Sequence, residues 1–232
     1  MSFQQLRLGL ERGVDGRSLA WALDFPGAFA YGKDDNEALE KLPESFINYR
    51  NWFGQHIAEN WVDSSRFEPK VVETLDSLVT DDNCTFNAFF EDDRRPLEAV
   101  EILHALKVHT WQRQELLDGV RPLSAEVMTR MLPGQRWNIN GILNHIGRTE
   151  FRYLVALNLP LPPDEILVHN PYRVLELSFE AVQKLLPKLE GDGAVLDRGG
   201  EFWSARKLLR HLLWHQRDHI DHIRKTVRMA SQ

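Results

Sequence analysis

Residues 3–12 alternate polar and apolar side chains, with Phe3, Leu6, Leu8 and Leu10 apolar, which is the period of a half-buried strand. The turn-rich segment Gly13-Val-Asp-Gly-Arg-Ser18 leads into a second extended run over 19–29, a hairpin partner. Pro26-Gly27 interrupts that run and Phe29-Ala-Tyr31 resumes it. Asp34 and Asp35 then cap a helix that carries Ala38, Leu39, Leu42, Phe46 and Ile47, so a sheet-then-helix order results. After the aromatic stretch 49–61, apolar alternation returns at Val71, Val72, Leu75, Leu78 and Val79 and again at Phe86, Phe89 and Phe90, predicting further strand. The run Glu91-Asp-Asp-Arg-Arg-Pro96 has no large apolar residue and ends in a proline suited to a first helical turn, which predicts a domain boundary.

From Pro96 onward the period is helical. Four long segments are predicted, at 97–118, 137–158, 171–188 and 204–228, separated by the turn-rich stretches 119–122, 160–163 and 191–200. The expected architecture is an α+β domain over 1–92 followed by an all-α antiparallel four-helix bundle over 96–232.

The last of these helices carries Arg210-His-Leu-Leu-Trp-His-Gln-Arg-Asp-His-Ile-Asp-His-Ile223. At ~100° per residue, His211, His215, His219 and His222 share an arc of about 80° beside the apolar stripe of Leu209, Leu212, Leu213, Ile220, Ile223 and Val227. Histidines at i and i+4, such as His215 and His219, can offer two imidazole nitrogens to one ion from successive turns. The same spacing is commonly incidental on an amphipathic helix, so a third ligand is required. His145, in Trp137-Asn-Ile-Asn-Gly-Ile-Leu-Asn-His145-Ile-Gly-Arg-Thr-Glu150, lies at the edge of its own helix's apolar arc. Glu150 projects into the middle of that arc, where a carboxylate needs a cation, a histidine N–H or a proton, which makes it a candidate for acid/base work or for holding a ligand. A partly exposed place near the helix end is the bland alternative. His109 reads as a satisfied core histidine, His211 as a neighbour of the ligands, and His104 as solvent-facing.

Composition narrows the partners. The net charge of -6 argues against a polyanion binder, since phosphate affinity needs clustered excess Lys and Arg, so neither nucleic acid nor a membrane is expected as a partner. Cys84 is the sole cysteine, which leaves His, Asp and Glu as metal ligands. The N-terminus lacks an apolar core long enough for a signal or a span, and a cytoplasmic address is the default expectation.

The combination Trp137-x-Ile-x-x-Ile-x-x-His145 followed by Glu150, with Trp203-Ser-x-Arg-x-Leu-Leu-x-His211-x-x-x-His215-x-x-x-His219-x-x-His222-Ile, resembles the DinB-like (YfiT-type) helical domains over roughly residues 97–232. That resemblance implies a four-helix bundle holding a divalent metal, zinc or nickel, through His145, His215 and His219. Where the family carries a glutamine this chain has His222, a candidate fourth ligand or proton-transfer group. The stretch Ala20-Trp-Ala-Leu-Asp-Phe-Pro-Gly-Ala-Phe-Ala-Tyr-Gly32, with the helix opening at Asp34, is similar to the HicB-like β-β-β-α module, which implies a protein-contacting or homodimerising accessory.

Three neutral imidazoles would leave open positions on the ion for water or substrate. The first functional expectation is a metal-dependent transferase (thiol-dependent) or hydrolase on a small molecule, with Glu150 or His222 assisting proton transfer. The second is a non-catalytic metal-binding or ligand-sensing protein with an N-terminal interaction module. His215-Gln-Arg-Asp-His219 lacks the glutamate of a zinc peptidase, which disfavours proteolysis.

Overall fold

The computed structural model describes residues 4–56, 67–79, 85–161 and 169–230; Phe3, Cys84 and parts of the spans expected around 49–61, 67–90 and 160–163 lie outside them. The chain divides into two compact units, one of Met1–Arg95 with Gly193–Arg210 and one of Pro96–Asp192 with His211–Gln232.

In the first unit β1 (Gln4–Arg12), β2 (Ser18–Ala22), β3 (Phe29–Gly32) and β4 (Phe67–Asp76) form one sheet in the order β3-β2-β1-β4. β1 and β2, and β2 and β3, pair antiparallel, as short turns allow. β4 lies parallel to β1, which requires a crossover, and the helix α1 (Asp35–Gly54) stands between β3 and β4 in the chain. Asp34 caps α1 by accepting from the Glu37 N–H. Leu6, Leu8 and Leu10 pack with Ala20, Ala22 and Ala30 against Ala38, Leu42 and Phe46, so the alternation of β1 and the helical period of α1 meet in one core. The alanines let α1 lie close. At Gly32 an added Cβ would stand 2.2 Å from the Ala38 backbone nitrogen, which no side chain tolerates. Ile47, expected on the apolar side of α1, is 50% exposed.

The other side of β1 is covered too. Phe90 lies directly against Gly9, and the buried Glu11 carboxylate accepts from Trp21 Nε1, Ser77 Oγ and the Ala88 N–H. The charged run 91–96, read as a domain boundary, begins as a 3-10 turn, Glu91–Arg94, whose Asp93 is buried and takes Arg210 through both carboxylate oxygens at 3.2 and 2.7 Å. The stretch read as a plain separator holds a hairpin, β7 (Leu196–Arg198) and β8 (Glu201–Trp203), turned by Gly199 and Gly200 at positive φ. A short pair, β5 (Leu78–Val79) with β6 (Thr85–Phe86), completes the strands among the described residues, while Phe89 and Phe90 are not in one.

The second unit is helical: α2 (Ala99–Val120), a one-turn α3 (Ala125–Thr129), α4 (Ile139–Ala156), α5 (Pro171–Leu185) and most of α6 (Ala205–Ala230). Asn138 and Asn170 cap α4 and α5 with their side-chain oxygens, and Pro171 takes the first helical position. Leu116, Val120, Ile139, Ile142, Leu143, Ile146, Leu175, Ile220 and Ile223 form its core. α4 runs antiparallel to α6, since His145 meets His219 while Tyr153 meets His211. α4 and α5 run parallel, because Gly147 faces Val174 and Glu150 faces Ser178, both positions advancing together. This departs from the all-antiparallel expectation. Residues 157–170 are enough chain to return along the roughly 27 Å of an 18-residue helix, so a tight reversal is not imposed. No helix among the described residues is long and apolar enough to cross a membrane.

Candidate metal centre

Asn138 starts α4 so that His145 falls two turns in, at the edge of the buried stripe Ile139, Ile142, Ile146. On α6 the stripe of Leu208, Leu212 and Ile223 holds His215 and His219 just inside the protein, 6% and 8% exposed. Antiparallel packing of the two helices brings the three rings together. His215 Nε2 stands 3.1 Å from His145 Nε2 and 3.1 Å from His219 Nε2, and one nitrogen of each ring lies within 4.8 Å of the others. Two nitrogens bound to one tetrahedral zinc at about 2.05 Å sit roughly 3.3 Å apart, so the spacing fits a shared ion.

The electrostatics agree with that fit. Burial, followed by the nearby Arg152 and Arg136 guanidinium groups, lowers His145 to about 4. Burial, then His145 and His222, lowers His219 to about 3, and burial with the two neighbouring histidines holds His215 well below its ordinary value. Neutral imidazoles with converging lone pairs are the form a divalent cation needs. Thr149 Oγ1 lies 3.5 Å from His145 Nδ1 and Trp137 stacks on the same ring at 4.5 Å, which fix its orientation. His219 Nδ1 is buried and makes no hydrogen bond to the described residues.

Glu150 is fully buried, and its Oε1 accepts from Arg113 at 2.5 Å and lies 3.0 Å from His109 Nε2 while its Oε2 accepts from Ser178 Oγ at 2.5 Å. Burial pushes this carboxyl up, but Arg113 and His109 outweigh it and bring it down to about 2. The costly placement read from the sequence is thus compensated by a cation and an imidazole. His109, also fully buried, is the core histidine expected, stacked on Phe179 at 5.2 Å. His222 does not join the three converging rings: its Nε2 lies 2.8 Å from Gln135 Oε1 and its ring is 5.9 Å from that of His219. His211 is buried beside Tyr153 and Trp214 and is likewise outside the group. Sequence reasoning passed over Arg113, the hub of the buried network, which donates to Glu150, to Gln216 Oε1 at 2.8 Å and to the Leu175 carbonyl at 2.5 Å. Its signal was legible as an arginine on the stripe of His109 and Leu116.

No known family's sequence model matches this chain, and no curated protein matches it. Among solved structures the chain is similar to YfiT from Bacillus subtilis, described as a probable metal-dependent hydrolase with an unusual four-helix bundle topology. The likeness has 14% identity and a TM-score of 0.46, over 58% of this chain and 90% of that one. So distant a likeness adds nothing to the reading of the site, which rests on the three imidazoles.

Proposed function

We propose that this protein is a divalent-metal-dependent enzyme acting on a small molecule in the cytoplasm, most simply a thiol-dependent transferase, with His145, His215 and His219 holding the ion. The observation that carries the reading is the convergence of three neutral imidazoles with no carboxylate in the group, a donor set that leaves a cation with its charge and open positions. Bound there, zinc or nickel would supply the Lewis acidity that makes a thiol or water nucleophilic at neutral pH.

Of the two candidate proton carriers near the triad, Glu150 and His222, the first is unsuited to the task. A hydrolase needs a base to manage the proton of its water, and Glu150 is a poor one, saturated by three partners and held at about 2. Glu150 serves instead to position, through Arg113 and Gln216, the helices that carry the ligands. His222, only partly buried and bonded to Gln135, is the group near the triad that can pass a proton to solvent. Trp137 walls the site on the side of His145. The β-β-β-α unit is read as a protein-contacting, HicB-like accessory able to form a homodimer; β4 supports this, being at the sheet edge with Val71 and Val72 exposed.

The test is elemental analysis and cobalt titration of the purified full chain beside His145→Ala and His215→Ala, followed by thiol consumption against an electrophile panel with and without chelator. Stoichiometric metal in the native chain, a loss of affinity of at least about 100-fold in each variant, and chelator-sensitive thiol transfer are expected. A native chain that takes up no ion ends the proposal, and metal uptake with only water as acceptor nucleophile would make the protein a hydrolase.

A further inference from the structure

A recess lies in the helical unit, between α2 and α5, with a volume of about 600 Å³, and none of the three converging histidines lines it. Its composition is unlike that of the chain as a whole. In a protein of net charge -6, the described residues lining it include three arginines, Arg113, Arg121 and Arg173, and one carboxylate, Glu176, together with the apolar Leu175 and Phe179.

Each guanidinium is placed for a ligand differently. Arg113 is anchored: it is buried, spends donors on Glu150, Gln216 and the Leu175 carbonyl, and lies 5.6 Å from the centre of the Phe179 ring, so it forms a rigid floor whose charge Glu150 balances. Arg121 and Arg173 stand at the rim, 60% and 50% exposed. Arg121 reaches Asp118 at 3.7 Å, Arg173 meets Glu176 at 2.5 Å, and both of these pairs are exposed to water, which screens them. The recess also sits at the start of α5, since the cap residue Asn170 and Tyr172 line it, and that end of a 15-residue helix carries partial positive charge. Tyr172, an aromatic ring left 38% exposed beside this recess, offers a stacking face.

We propose that the α2/α5 recess is a binding site, separate from the histidines, for a small organic anion, a carboxylate or sulfonate on an aromatic or branched apolar body. The apolar body packs on Leu175, Phe179 and Tyr172 while the anionic group takes the rim arginines, the division of labour that small-molecule sites ordinarily show.

The test is a fluorescence titration of the full chain with 8-anilinonaphthalene-1-sulfonate, compared with its neutral counterpart N-phenyl-1-naphthylamine. The variants are Arg121→Gln with Arg173→Gln, Tyr172→Ala alone, and His145→Ala, all with melting curves to establish that they fold. The expected result is saturable sulfonate binding that weakens about tenfold or more in the double variant and several-fold in Tyr172→Ala. Binding of the neutral probe stays weaker and is unmoved by the arginine changes, and sulfonate binding persists in His145→Ala and in chelator. The site is overturned if the double variant binds the sulfonate as the native chain does, if the neutral probe binds equally well, or if His145→Ala abolishes binding. Because the His145→Ala arm reads the recess without the metal centre, failure here and failure of the metal reading give different patterns.

Discussion

The triad histidines are held neutral by their surroundings, and this has a consequence for stability. In the unfolded chain a histidine takes up a proton near 6.5, whereas burial, with the neighbouring arginines for His145 and the neighbouring histidines for His219, keeps the two at about 4 and about 3 in the fold. Between those limits the unfolded state binds more protons, so the metal-free fold loses stability as pH falls through that window. Glu150 has the same sign in a lower window: its folded value of about 2 lies below the ordinary 4.5, so its contribution is complete above 4.5 and is lost as pH falls toward 2. The interval from 6.5 to 4.5 therefore reports on histidine alone among these groups. We expect the urea midpoint of chelator-treated protein to fall across that interval, and to fall less in His219→Ala, which removes one reluctant base. A midpoint that is flat from 6.5 to 4.5 contradicts the burial of these rings.

Among the elements, the parallel contact of α4 with α5 depends on one missing side chain. An added Cβ at Gly147 would come within 2.8 Å of Val174 Cγ1 and 3.1 Å of the Val174 backbone. Alanine there gains about 1 kcal/mol of helix propensity and loses more to crowding, so Gly147→Ala should cost about 1 to 3 kcal/mol net. Gly119, near the end of α2, meets nothing within 4 Å, and alanine at that position should stabilise by up to about 1 kcal/mol. Chemical denaturation of the two variants side by side checks both signs. Equal effects would mean that propensity, rather than the approach of the helices, decides at Gly147.

For the whole molecule, the first unit is not a continuous piece of chain. Arg210 answers the buried Asp93 and lies over Trp21 and Phe90 at 4.5 and 4.8 Å, while Lys207, wholly buried, donates to the Asn87 and Phe202 carbonyls and to Glu201. Residues 1–95 expressed alone would keep Asp93 without its cation and expose both rings, an arrangement costing several kcal/mol in a domain only marginally stable. Such a fragment should lack a cooperative unfolding transition and show poorly dispersed amide resonances, whereas the full chain should show neither defect. A well-dispersed spectrum from the fragment would show that 193–210 is dispensable to it.

Much of this organisation is local and so was open to a reading of residues in order. The alternation of Leu6, Leu8 and Leu10, the cap at Asp34, and the shared stripe of His215 and His219 depend on periods of two and 3.6 that any chain of this pattern must obey. What no period contains is the meeting of distant segments. Asp93 reads only as one charge in a boundary run, since its partner lies 117 positions away, and Gly199-Gly200, a hairpin signal by its residues, is absorbed into a separator because its strands are only three residues each. The parallel run of α4 and α5, the Arg113 network, and the convergence of His145 with two imidazoles some 70 positions later are likewise decisions of packing. Helix period assigns a side chain to a face, while the partner across that face is chosen by burying apolar area and satisfying buried charge over the whole molecule, which no local pattern encodes.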